Sequence, residues 1–397
     1  MERKTSLAVP DFSNTQYAFQ YLDNESLYRA YILFSAIDQP FLAKWGPRLL
    51  QWAFEYSLPV VSVVRKTLFA QFCGGETLEE ANAVVELLKR FHVGTVLDYA
   101  AESTPNEQGR EEGCQQLLAS LPVLKKYDQQ FAVFKPTSIM SASVLKKLSA
   151  GKTLSPREKS DLSKGEERAL RIASAAAELG LSVLVDAEES WVQDAIDAWV
   201  LGLMRAFNGK RAVIYHTVQL YRKDRLGYLK GLVEQAEKEK FHLGVKLVRG
   251  AYLDKENRRA KRLAYSSPIQ ATKTACDHDF NASLEFCLAH LAHVAIFVGT
   301  HNEVSTQHLV RLICQHPGLQ KNDPRVAFSQ LYGMSDNLTF NLASAGFRAL
   351  KYVPFGPVKA AIPYLIRRAQ ENVSIQGQMG RELALIKSEM TRRKTAS

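Results

Sequence analysis

The side chains best suited to chemistry in this 397-residue chain recur at the ends of short apolar runs. Glu102, Lys135, Asp186, Gln219, Lys246 with Val248, Arg249, Gly250 and Tyr252, the Thr300-His301-Asn302 triplet, Gln330 and Tyr352 each sit at or just past such a run. The densest set comes late. Tyr364, Arg367, Arg368 and Glu371 are spaced i, i+3, i+4 and i+7, which makes one polar stripe on a helix. Two adjacent guanidiniums can clamp a small carboxylate through several charge-assisted hydrogen bonds. The same spacing also suits a solvated helix face carrying an Arg–Glu pair. Lys135, placed before a proline, could form a Schiff base or pair with Asp186 or Glu371. The segment VDAEES (185–190) puts three carboxylates in six residues; without a companion His cluster, salt bridges suit them better than a metal. GTHN (299–302) is a donor-rich turn suited to ribose or phosphate oxygens, although His301 alone reads equally as a structural histidine.

The elements that must position these groups follow a single rhythm. Eight β-rich runs are expected at 94–99, 131–136, 181–186, 212–220, 243–248, 294–299, 325–329 and 349–353, each followed by a stretch able to form a helix. Strands alternating with helices imply a parallel sheet, and eight units match a closed (βα)₈ barrel. Such a barrel collects its reacting groups at the carboxyl ends of the strands. An open doubly wound sheet wants a glycine-rich turn after its first strand, and LDYAAE (97–102) offers none. Residues 1–92 read as an N-terminal helical segment and 93–397 as the barrel. Helix starts are marked by TLEE (77–80) and SPRE (155–158). The lysine-rich stretch 146–167 is expected as a solvated excursion.

Composition narrows the class. With 46% hydrophobic and 23% charged residues, the chain is that of a globular enzyme. Five scattered cysteines with no CxxC pair argue against a disulfide framework and fit a reducing compartment. The net charge of +10 is dispersed among 41 acidic residues, so an anionic ligand or membrane surface suits it better than nucleic acid. No run of about 20 apolar residues predicts a membrane-spanning helix. The first residues suggest neither a secretory signal nor a transit peptide. The expectation is a cytoplasmic protein with a peripheral contact at the inner membrane face; a mitochondrial location is less favoured.

Six ordered motifs, FAVFKPTS (131–138), VDAEE (185–189), KLVRGAYL (246–253), GTHN (299–302), QLYGM (330–334) and the stretch 352–372, resemble the proline dehydrogenase family. The resemblance starts at FCGGE (72–76), covers about residues 72–392, and is to the compact, single-function kind. It implies a distorted (βα)₈ barrel with non-covalent FAD and an eighth helix over the barrel mouth. It further implies that Arg367 and Arg368 bind the proline carboxylate and that Glu102 gates the ligand by pairing with Arg367. Lys135, Asp186, Tyr352, Tyr364 and Glu371 would line the substrate pocket. Gln219 and the segment Lys246, Val248, Arg249, Gly250 and Tyr252 would hold the flavin ring. Thr272 and Lys273 would meet the FAD phosphates, and Thr300, His301 and Asn302 the adenosine part. Lys246 stands where many bacterial relatives carry Arg, and either Gln330 or Ser329 would face the isoalloxazine. The implied reaction moves a hydride from proline C5 to flavin N5, gives Δ1-pyrroline-5-carboxylate, and returns the electrons to a quinone. Tyr352 favours proline over hydroxyproline; hydroxyproline dehydrogenase and a Schiff-base lysine aldolase are the alternatives.

Overall fold

The computed structural model describes residues 9–39, 45–46, 52, 61–100, 106–374 and 378–396, with only the backbone at 369–374, 378–379 and 396. Glu102 therefore lies outside the described residues, as does the side chain of Glu371.

Eight strands form one sheet: β1 Gly94–Tyr99, β2 Phe131–Phe134, β3 Ser182–Val185, β4 Ile214–Gln219, β5 Leu243–Val248, β6 Val294–Gly299, β7 Val326–Leu331 and β8 Ala349–Phe355. Their order is β2-β3-β4-β5-β6-β7-β8-β1, which is the cyclic order of a (βα)₈ barrel cut between β1 and β2. All eight expected runs are strands. β8 extends past its expected end because its last residues continue the ladder with β1, up to Tyr99↔Phe355.

By contact density the chain divides into two compact units, residues 102–328 with 1–7, and residues 8–101 with 329–397. In the first, strand register sets the rows of side chains. Val133, Leu184, Tyr215, Gly244 and Ala295 are successive partners from β2 to β6. The Phe131 ring meets those of Tyr215 and Phe297 at 5.6 and 5.3 Å, so this face is the interior of the sheet's curve. Gly244 is required there: a Cβ would lie 2.5 Å from the Ile214 carbonyl oxygen and 2.9 Å from the Tyr215 ring. Two residues further along, at the carboxyl ends, the same face carries Lys135, Asp186, Thr217, Lys246 and Phe297. Strand alternation thus puts both lysines and the aspartate in one row.

The stretch 146–167 is solvated, with most of its residues exposed, but much of it is helical. It folds into the end of the helix Ala142–Ser149 and the start of the helix Pro156–Glu178. Ser155 and Glu158 form a complete capping box with Pro156 in the first turn. Just past the stretch, Arg168, 3% exposed, ties its second helix down by donating to Glu107, to Glu111 at 2.8 Å and to the Ile139 carbonyl at 3.0 Å.

In the second unit the described part of the N-terminal segment is helical, at Thr15–Ala18, Asn24–Ile37, 61–72 and Leu78–Lys89. Its first three helical stretches pack into one apolar cluster with Val358, Ala361 and Leu365 of the helix Val358–Ser374 and with Leu383 and Ile386 of the helix Gln378–Ala396.

Candidate active site

Each unit carries its own group of the expected site residues. In residues 102–328 the centre is Asp186, just past β3. Lys246 of β5 donates to its Oδ1 at 2.6 Å, and Lys135 lies 3.7 Å from its Oδ2. Lys246 is 8% exposed, so its charge is held in a largely dry setting by that carboxylate. Gln219, at the end of β4, is also buried; its Nε2 donates to the Glu188 carbonyl at 2.7 Å, which fixes the direction of the amide.

Arg249 follows β5 and is committed on three sides. Nε donates to Asp277 Oδ1 at 2.7 Å, Nη1 to Thr300 Oγ1 at 2.7 Å and Nη2 to Ser305 Oγ at 2.9 Å. Its guanidinium also lies 4.2 Å from the Phe280 ring centroid. Arg249 therefore braces the first turns of two helices, Lys273–Ala289 and Glu303–Gln315. Thr272 caps the first by accepting from the Ala275 N–H, and Asn302 caps the second by accepting from the Ser305 N–H. Lys273 pairs with Asp277. Burial pushes the Asp277 carboxyl up, but the hydrogen bond from Lys273 and the charge of Arg249 outweigh it and hold it below the usual carboxylate range. Gly250 has φ +130°, and a Cβ there would lie 2.5 Å from the Tyr221 ring, so the turn after β5 needs glycine. Tyr252 precedes the helix Leu253–Leu263, and His301 is half-buried in the turn after β6.

In the second unit, Tyr352 on β8 is 7% exposed and sits opposite Val96. Tyr364, Arg367 and Arg368 keep their helical spacing within Val358–Ser374. Tyr364 and Arg368 are 8% and 7% exposed, and the Arg368 guanidinium lies 5.2 Å from the Tyr364 ring centroid. Arg367 is half-buried. This is not a solvated stripe: burying a guanidinium is costly without an anion or hydrogen-bond acceptors. Gln330, 1% exposed, accepts from Thr339 Oγ1 at 2.8 Å and so engages the helix Asp336–Ser344, while Ser329 alternates to the other face of β7.

Several residues escaped the sequence reading. Asp277 and Ser305 hold Arg249, and Glu188 holds the turn after β2. Lys351, fully buried beside Tyr352, reaches Asp336 Oδ1 and the Met334 carbonyl, both at 2.6 Å. A lysine alternating with apolar residues in β8 was the available signal for the last.

In (βα)₈ barrels the reacting groups gather at the carboxyl ends of the strands, where Lys135 and Asp186 lie. Comparison with known proteins narrows this. The proline dehydrogenase family model matches residues 81–381, so the chain belongs to the proline dehydrogenase family. It is similar to the carbapenem antibiotics biosynthesis protein CarD of Pectobacterium carotovorum, at 36% identity over 81% of this chain and 83% of that protein. It is also similar to proline dehydrogenase 1, mitochondrial, of Dictyostelium discoideum, at 30% identity over 85% of this chain and 67% of that one. The crystal structure of proline utilization A from Bdellovibrio bacteriovorus, inactivated by N-propargylglycine, superposes with a TM-score of 0.72 at 18% identity. That match covers 92% of this chain but 38% of the larger one, and it establishes the distorted (βα)₈ barrel fold. Among the described residues no helix is long and apolar enough to cross a membrane.

Proposed function

We propose that the chain oxidises L-proline to Δ1-pyrroline-5-carboxylate with FAD as resident cofactor and a quinone as final acceptor. The observation that carries this reading is the buried Arg368 stacked by Tyr364, in a chain of the proline dehydrogenase family. The residues present suit a flavin dinucleotide. Two capped helix N-termini braced by Arg249, with Lys273 at the first, offer backbone N–H groups and positive charge for a pyrophosphate. Lys246 is a buried donor for the flavin ring. When bound, FAD would accept a hydride from proline C5.

The side chains do the rest. Arg367 and Arg368 bind the proline carboxylate and fix the ring's orientation. Tyr352 and Tyr364 shape the ring pocket and keep water out. Asp186 holds Lys246 and Lys135 in place. The amine proton leaves to solvent. Exposed Tyr28, Ile32 and Val63 in the N-terminal segment, together with the basic surplus, suit a peripheral contact with the membrane that holds the quinone.

The test is the visible spectrum of the purified protein. It should show oxidised-flavin bands that L-proline bleaches without oxygen. A protein that stays colourless and inactive after FAD is added refutes the reading. Bleaching by trans-4-hydroxyproline but not by proline would move it to hydroxyproline.

A further inference from the structure

The three carboxylates of VDAEES have separate employments. Asp186 takes the two lysines, and Glu189 pairs with the exposed Lys255. Glu188 lies between them in sequence and is 5% exposed. Its Oε1 accepts from the backbone N–H of Thr137 at 2.7 Å, and its Oε2 from Thr137 Oγ1 at 2.8 Å. Thr137 belongs to the short 3₁₀ turn Pro136–Ser138 that directly follows Lys135. The Glu188 backbone is used as well. Its carbonyl accepts from Gln219 Nε2, and its N–H donates to Gln193 Oε1, both at 2.7 Å. One residue therefore ties the ends of β2, β3 and β4.

We propose that Glu188 is a positioning residue of the reaction: it sets Lys135 through the β2 turn and the Gln219 amide through its own carbonyl. This rests on the proposed proline oxidation. Two physical arguments support it. A carboxylate this dry is expensive, and a purely structural turn can be held by a neutral side chain. Its place also makes its charge matter. The titratable groups that face it are Lys135 at the end of β2 and Glu189 beside it; Gln193 and Gln219, from the packed helix and from β4, are neutral. Burial pushes the Glu188 carboxyl up to about 7, with the Glu189 charge adding and the two Thr137 hydrogen bonds and Lys135 opposing. The clip can thus change its protonation within the working range of an enzyme, and with it the charge balance at Lys135.

The experiment uses the flavin-loaded protein and two variants, Glu188→Gln and Thr137→Val. The wild-type infrared spectrum should show a protonated carboxyl that titrates near neutral pH and is missing in Glu188→Gln. The pH profile of wild-type kcat should bend in the same region, and the bend should vanish in Glu188→Gln. Both variants should keep their flavin, shift its absorption bands through Gln219, and lower kcat by about tenfold, with a smaller change in KM for proline. Unchanged kcat and unchanged flavin bands in both variants, with only a loss of thermal stability, would overturn the inference. If the wild type holds flavin yet does not oxidise proline, it is the functional reading that falls.

Discussion

The two units of the chain bury strand lysines in opposite styles. In residues 102–328, Lys246 shares Asp186 with Lys135, and that carboxylate's side chain keeps 16% exposure. In the other unit Lys351 is sealed, with 0% of its side chain exposed, and it binds Asp336 and the Met334 carbonyl; Tyr21 donates to the same aspartate at 2.7 Å. The first arrangement sets two lysines on one partly exposed carboxylate. The second is a closed ion pair that stitches the β7 turn to the N-terminal segment. On the proposed function, the first is arranged for binding and the second for holding the chain together.

Removing a lysine from each should separate the two most sharply. Lys351→Met leaves Asp336 buried without its cation and should cost about 3–5 kcal/mol of unfolding free energy. Lys246→Met should cost roughly 1–2 kcal/mol, because Lys135 and nearby water still serve Asp186, while proline oxidation collapses. Urea unfolding of both variants checks this. Equal losses would erase the distinction.

The arginine helix sharpens the comparison from the other side, because the proposed carboxylate clamp lies in the holding unit. Arg368→Met should raise the KM for proline by roughly ten- to a hundredfold, the worth of charge-assisted bonds in a dry site. Arg367→Met should do less, since that side chain is only half-buried. Flavin content should stay constant in both. Steady-state kinetics with proline decide. A fall in stability at unchanged KM would place both arginines in the scaffold.

How much of this the sequence disclosed depended on where each group's partner lies. The barrel was legible because strand runs and helix caps are local signals. The position of Lys135, Asp186 and Lys246 at strand ends followed from that rhythm alone. Arg249 was harder: its acceptors Asp277, Thr300 and Ser305 come from separate segments, so its bracing role left no local signal. Glu188 was legible only as one of three clustered carboxylates, because one of its partners is a backbone N–H, which every residue but proline has. The charge of the stretch 146–167 disclosed its exposure, while of its helical content only the SPRE cap gave a local signal.

The smallest expected effect concerns two buried glutamates, one in each unit. Glu382, 6% exposed, accepts from the Ser335 N–H, and burial with the nearby Asp336 charge pushes its carboxyl up to about 7 against that bond and the charge of Lys351. Its ordinary value is 4.5, so the folded state holds a proton that the unfolded chain releases between about pH 4.5 and 7. A raised folded pKa gives stability that is complete below the unfolded value and is lost as pH rises through the folded one. Glu382→Gln, whose amide oxygen can still accept from Ser335, should match the wild type near pH 5. Near pH 8 it should be more stable by on the order of 1–3 kcal/mol. Thermal unfolding at the two pH values measures the difference. Glu188 takes its two donors from Thr137, next to Lys135, whereas Glu382 takes its donors from the backbone and side chain of Ser335, next to Asp336. Proline turnover should therefore be far less sensitive to Glu382→Gln than to Glu188→Gln. Equal kinetic losses would show that the holding unit tunes the reaction as directly as the binding one.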